Sequence, residues 1–215
     1  MRSALLLAVS ASAIVSPAFA DQGPFLDFAA GWSLPSDISL HSRNGATPVQ
    51  GKISTRGAAE IAGELGYAMP DGISAALEVG HAEYGAGSTT INGTRNNVAT
   101  GAAAESIVLA NVTYQIPYEG RLNWVIGAGV GAAEISPNFT DANGVRMSGN
   151  GTSFAWQLLA GANWLLDPVL RLQVDYRFRS VLDTNHFYGT TPVQFGNITS
   201  HSLMLSIRWV LAAPR

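Results

Sequence analysis

The stretch Leu170-Arg-Leu-Gln-Val-Asp-Tyr-Arg-Phe-Arg179 puts Leu170, Leu172, Val174, Tyr176 and Phe178 on one parity and Arg171, Gln173, Asp175, Arg177 and Arg179 on the other. Successive side chains of a strand point to opposite faces, whereas a helix would wind these charges around its whole circumference. The segment therefore reads as a strand with one apolar face and one charged face.

Seven further segments share this period. Phe28, Ala30, Trp32 and Leu34 alternate with Asp27, Ala29, Gly31 and Ser33. Ile61, Leu65 and Tyr67 alternate with Glu60, Glu64 and Gly66, and Ile73, Leu77 and Val79 with Ser74, Glu78 and Gly80. Val108, Ala110, Val112 and Tyr114 oppose Asn111, Thr113 and Gln115, with Leu109 out of pattern on the polar side. Leu122, Trp124, Ile126, Ala128 and Val130 alternate with Arg121, Asn123, Val125, Gly127 and Gly129. Phe154, Trp156, Leu158 and Trp164 alternate with Gln157, Gly161 and Asn163, and Leu203, Leu205, Ile207 and Trp209 with Ser202, Met204, Ser206 and Arg208. Met69-Pro-Asp-Gly72, Pro117-Tyr-Glu-Gly120 and Leu166-Asp-Pro168 are short turns. Between them lie long stretches, 35–57, 85–104, 136–152 and 180–199, rich in Gly, Asn, Ser and Thr and read as loops. Short turns at one end and long loops at the other predict an all-β fold, an eight-stranded antiparallel up-and-down transmembrane β-barrel.

Composition agrees. The chain is 47% hydrophobic and 13% charged, yet it has no apolar run long enough for a membrane-spanning helix; a barrel hides its apolar residues in alternation. Arg2, the uncharged stretch Ala4 to Val15 and Ala18-Phe-Ala20 have the layout of a secretory signal, so residues 1–20 are expected to be cleaved. Residues 21–209 are then the outer-membrane barrel and 210–215 a short periplasmic tail. Losing Arg2 takes the formal net charge from −3 to −4, which gives no basic surface for nucleic acid. The absence of cysteine excludes disulfides and thiolate metal sites.

A soluble barrel with an apolar pocket would alternate in the same way. The large aromatics argue for lipid outside. Tyr67, Tyr114, Trp124, Trp164 and Trp209 lie toward the short turns, and Trp32, Phe154, Trp156, Tyr176 and Phe178 toward the long stretches. Two aromatic bands suit a membrane with two interfaces. The interior then receives Asp27, Glu60, Glu64, Glu78, Glu105 and Asp175 with Arg121, Arg171, Arg177, Arg179 and Arg208. Eight strands leave little more than side-chain room, so these charges should pair in a lumenal network. Glu64 and Glu78, on adjacent strands, would repel unless an arginine reaches them, Arg177 and Arg171 being nearest to hand. The network reads as a plug of counter-charges; the alternative is an ion path.

Leu122-Asn-Trp-Val-Ile-Gly-Ala-Gly-Val-Gly-Ala-Ala133, Phe154 to Trp164, Leu172-Gln-Val-Asp-Tyr-Arg-Phe178 and His201-Ser-Leu-Met-Leu-Ser-Ile-Arg-Trp209 resemble successive strands of small outer-membrane barrel proteins of the opacity and Omp25-like type. The resemblance spans the mature chain and implies a structural or surface protein of the bacterial envelope. Members of that family usually end on an aromatic residue read by the barrel-assembly machinery, whereas Val210 to Arg215 follow Trp209 here.

Some small barrels modify lipid A, so the histidines matter. His201-Ser202 is the tempting pair, but neighbours on a strand face opposite ways and cannot act together. His81 with Glu83 is the next, and His41 and His186 stand in separate long stretches. No catalytic constellation, cofactor motif or metal spacing emerges. The expected partners are membrane lipid, the assembly machinery and a surface ligand of the long stretches. The first of these carries Arg43, Lys52 and Arg56 against Asp37, a charge suited to lipopolysaccharide. Three functions stay open: a structural or surface-binding barrel, a narrow porin-like channel, and a lipid A-modifying enzyme.

Overall fold

The computed structural model describes residues 23–42, 49–117, 121–141 and 143–211, so the signal-like segment and the last four residues lie outside it. Thirteen strands form one antiparallel sheet, and the described residues contain no helix. They are β1 (Gly23–Pro35), β2 (Ile38–Ser42), β3 (Gln50–Thr55), β4 (Ala58–Ala68), β5 (Ile73–Ile91), β6 (Thr94–Pro117), β7 (Leu122–Asp141), β8 (Arg146–Ser148), β9 (Gly151–Asp167), β10 (Leu170–Val181), β11 (Thr184–Tyr188), β12 (Thr191–Phe195) and β13 (Ile198–Val210).

The pairing closes on itself. Partner by partner it runs from Pro24 to Tyr67, Ala75, Val112, Ala128, Leu158, Phe178 and His201. His201 pairs with Leu34, which lies ten residues along the strand where the circuit began. A ring of strands can close only with such a stagger, and for eight strands staggered by ten it sets a tilt of about 40°. Closure also removes the free edges on which sheets aggregate.

The short turns form as their sequences predict. Ile73 N–H donates to Asp71 Oδ1 at 3.3 Å and Val169 N–H to Asp167 Oδ1 at 2.7 Å, while Gly72 takes φ +83°. The turn at 118–120 lies outside the described residues.

The long stretches differ from expectation, since they are mostly strand. β5 and β6 continue to a two-residue hairpin at Asn92-Gly93, both with positive φ (47° and 82°). That is the conformation in which Asn-Gly matches the twist of paired strands. β2–β3 and β11–β12 form further hairpins, and with β8 they build a second circuit onto the extended β5, β6 and β7. Two-residue breaks at Ser36-Asp37, Arg56-Gly57, Gly149-Asn150, Leu182-Asp183 and Gly196-Asn197 separate this head from the lower ring. Thirteen strands thus stand where eight were expected.

Inside and outside exchange character between the two parts. In the lower ring Phe28, Leu65, Leu77, Val112, Leu158, Leu205 and their neighbours are exposed, while the alternate charged and amide residues are buried. In the head Ile38, Leu40, Ile53, Ile135, Phe139, Met147, Val193, Phe195 and Ile198 are buried together. Ser39, Lys52, Glu134, Asn138, Arg146 and Asn185 face out instead. A smaller apolar group, Phe25, Ala68 and Val210, closes the opposite end, so β13 continues past Trp209 and its next residue is part of the packing.

Interior packing is tight where glycine allows it. A Cβ at Gly129 would run into Asn111 Oδ1. Gly129→Leu should therefore lower unfolding stability by about 1–3 kcal/mol through overpacking, measured by urea titration of the folded gel species. Gly93→Ala, where an added Cβ meets nothing within 4 Å but φ is positive, should cost about 1 kcal/mol.

Candidate functional site

Alternation sends the interior-facing residues of β1, β4, β5, β6, β9, β10 and β13 to the middle of the lower ring, where they meet as a charged layer. Arg177 stands at its centre, fully buried. Its guanidinium donates to Asp175 Oδ2 (2.5 Å) and Glu78 Oε1 (2.6 Å) and lies 3.6 Å from Glu64 Oε1. Glu78 Oε2 also accepts from Asn111 Nδ2 (2.5 Å) and Gln157 Nε2 (2.6 Å). Arg208 donates to Asp27 Oδ2 at 2.7 Å, approaches Glu64 at 3.8 Å and covers the Phe25 ring at 4.7 Å from its centroid.

Nearer the head a second group forms. Arg179 bridges Glu60 (2.6 Å) and Glu105 (3.1 Å). Ser202 donates to Glu60 at 2.6 Å, its hydroxyl oxygen lies 2.9 Å from the Ser33 hydroxyl, and Ser33 continues to the Tyr84 hydroxyl at 3.0 Å. Arg171 is fully buried and donates to Gln115 Oε1 (2.7 Å) and Asn163 Oδ1 (3.4 Å).

The interior thus brings together Asp27, Glu60, Glu64, Glu78, Asp175, Arg171, Arg177 and Arg208 from the sequence reading. Arg121 is the exception. It lies at the turn before β7 and is exposed, because the alternation that sends Val125 inward breaks down at the strand's start. Glu64 and Glu78 are indeed direct cross-strand partners, and Arg177 is the arginine that reaches both. The apolar plug above this layer escaped the sequence reading, although Leu109, out of pattern and fully buried, belongs to it.

A void beside Tyr84, Glu105 and Ile135 at the base of the head measures about 10 Å³. That is room for one water molecule at most.

The histidines are dispersed. His201 is exposed on the outer face, where Nδ1 meets the Tyr176 hydroxyl at 2.6 Å, while Ser202 is buried inside. His81 Nδ1 meets Ser106 at 3.0 Å and His41 Nε2 meets Gln194 at 3.2 Å. No cluster of three metal-ligating side chains occurs among the described residues. In the head His186 stacks on Phe195, with ring centroids 4.2 Å apart, and lies between Gly149 O (3.2 Å) and Thr184 Oγ1 (2.8 Å). Burial lowers its pKa. Burial and then the Asp141 carboxylate, 2.7 Å away, push Tyr188 up to about 12. Asp37 is lowered by its hydrogen bond to Lys52.

No known family's sequence profile matches the chain, and no curated protein sequence matches it. Solved structures do resemble it. Neisserial surface protein A aligns over 88% of this chain and 100% of its own, at 16% identity and a TM-score of 0.51. The outer membrane protein OprG from Pseudomonas aeruginosa aligns over 87% and 97%, at 11% identity and a TM-score of 0.56. The fold is that of bacterial outer-membrane β-barrel proteins.

Two measurements follow. Arg177→Ala leaves three carboxylates facing one another and should cost about 3–5 kcal/mol of stability, whereas Arg121→Ala should stay within about 0.5 kcal/mol; urea unfolding of the refolded protein separates them. His186 binds its proton less readily folded than unfolded, so its stabilising effect is full above 6.5, the ordinary histidine value, and is lost as pH falls below it. Amide exchange in β11 and β12 should therefore accelerate on acidification, and His186→Gln should blunt that response.

Proposed function

We propose that the chain is a sealed eight-stave barrel of the bacterial outer membrane that carries a rigid head on the cell surface. In this reading β2, β3, β8, β11 and β12 are the outward continuations of five of the eight staves. The observation that carries it is the exchange of apolar and polar faces between lower ring and head. A soluble barrel has one solvent outside and needs no such exchange; a barrel leaving lipid for water does.

The aromatic levels fit. At a rise of about 3.3 Å per residue and a tilt of about 40°, Tyr67, Tyr114, Trp124, Trp164 and Trp209 fall within a few ångströms of one level. Trp32, Trp156 and Phe178 lie about 20 Å above them, close to the height of the apolar band in barrels of this type. Residues 1–20, read as a secretory signal, supply the route to the periplasm, and the assembly machinery is the expected partner for insertion.

Within the barrel the charge network acts as a plug. Arginines and carboxylates pair with one another in the middle, with apolar packing above and below. Surface interaction through the head is then the active role, and ion conduction or lipid chemistry is not. Refolded into lipid, the protein should show heat-modifiable gel migration and no channel steps in a planar bilayer. Steady conductance that changes with Glu78→Gln would establish the porin-like alternative, and a protein that stays soluble without detergent would overturn the membrane reading.

A further inference from the structure

The β11–β12 hairpin is joined to the rest of the chain in a way that sets it apart from the other strands of the head. Val181 of β10 pairs with Ile198 of β13, and beyond the breaks at Leu182-Asp183 and Gly196-Asn197 Thr184 pairs with Phe195. The two breaks therefore face each other across one hairpin and form a hinge line. Above that line the hairpin is the keystone of the upper circuit, set between β2 and β8. Its lateral pairing is short. Phe187 and Tyr188 pair with Ser148 and Met147 of β8, and Val193, Gln194 and Phe195 with Ser42, His41 and Leu40 of β2. Val193 and Phe195, fully buried in the head core, hold it shut.

His186 sits inside this closure. Gly149 O can only accept, so Nδ1 carries the ring proton (3.2 Å) and Nε2 accepts from the Thr184 hydroxyl (2.8 Å). Both nitrogens are thus satisfied in the neutral ring. A second proton would go to Nε2 and cancel the bond that Thr184 donates. It would leave an imidazolium packed against Phe195 and Gly151. The Phe195 face attracts a cation, but by less than the cost of burying one. The ionisable groups of the surrounding elements are engaged elsewhere. Asp183 accepts from Gln194, His41 meets Gln194, Arg146 donates to Asn138 and Tyr188 to Asp141. Asp167 lies at the far end of β9, β12 carries no ionisable residue, and Glu60 and Glu105 are taken by Arg179. Burial lowers the pKa of His186 in keeping with this setting.

We propose that the β11–β12 hairpin is an acid-released flap. Protonation of His186 frees it to swing out on the two breaks, which opens the upper circuit and leaves β2 and β8 with unpaired edges. Such edges are where a sheet can accept a further strand, which the closed circuit excludes. The flap belongs to the head alone and needs no lipid around the lower ring.

The test is segment-resolved hydrogen exchange of the full mature protein refolded in neutral detergent, at neutral pH and at about pH 5, corrected for intrinsic rates. At neutral pH the amides of β11 and β12 should be protected. In acid they should exchange faster together with their partners on β2 and β8, by up to about tenfold per pH unit below the ordinary histidine value of 6.5. The strands β4 and β10 should keep their rates. His186→Gln, which stays neutral, should flatten the acid response. A second variant, His41→Cys with Gln194→Cys, joins directly paired residues of β2 and β12 in a chain that has no cysteine of its own. Oxidised, it should hold the flap shut in acid; reduced, it should let it go. Release unchanged by His186→Gln or by the oxidised pair would overturn the proposal, as would acceleration in β11 and β12 without their β2 and β8 partners. Fast exchange of the hairpin at neutral pH would deny a closed state, and loss of protection in β4 and β10 alongside it would mark general unfolding; either result also overturns it.

Discussion

The interior of the lower ring has room for about one layer of side chains, and most of what the structure does follows from that width. The lower ring, closed with a stagger of ten residues, holds Arg177 between Glu78 and Glu64 on strands across the interior from its own. Burying ions is costly, and replacing a buried pair by apolar groups often stabilises a protein. The gain here lies in register. On the outer face Leu, Val and Ala repeat along each strand, so a slip of two residues would still present an apolar surface. The same slip would move Arg177 out of reach of Glu78 and set it at the level of another arginine or of Asp175. Charges inside therefore specify a pairing that the outer face leaves loosely determined.

The head obeys the opposite solvent rule on the same frame. β5, β6 and β7 run unbroken through both parts, and along β7 the parity holds while its residues change. Trp124, Ile126 and Val130 face out below, Glu134 and Asn138 above; Gly127 and Gly129 face in below, Ile135 and Phe139 above. Four of the interrupted staves shift parity instead. Trp32 and Leu34 face out on β1, yet Ser39 and His41 do so on β2, after the break at Ser36-Asp37. Register irregularities between Gly85 and Ser88 and between Ile53 and Thr55 accompany the change. Bulges and breaks at this level re-aim side chains without opening the ring.

This explains which parts of the fold were legible beforehand. Where apolar residues face out and charges face in, as in Leu170 to Arg179, alternation was unambiguous and the strands, short turns and interior charges could be read directly. The head was missed because Gly, Asn, Ser and Thr on its outer face look like loop composition, and the parity shifts interrupt the period just where it would have continued. Two local signals pointed the other way. Asn92-Gly93 is a strong hairpin dipeptide between β-compatible residues. Leu109, apolar on the polar parity, sits where the interior turns from charged to apolar. Arg121 was misassigned for a plainer reason: parity was carried one residue past the strand's end, into a turn where it has no meaning.

A head made of paired strands constrains how it can recognise anything. Because the upper circuit also closes, the described residues offer no free edge for an added strand, one recurring way in which a sheet captures an extended peptide. Contacts must come from outward side chains: Lys52 and His41 on the first hairpin, Arg146 on β8, Phe187 and Asn185 on β11. These are fixed by the Met147–Phe195 core behind them and by the Asp141–Tyr188 bond, which ties the β11–β12 hairpin to the turn after β7. Such a surface is ordered without any partner, so binding one would lose less conformational entropy than ordering of flexible loops would. Its specificity would rest on the pattern of those side chains, and Phe187, half exposed with its ring edge over Gly149, is the only large aromatic among them. The apolar packing that fills the inside of the head is therefore the same packing that holds the outward surface in one arrangement.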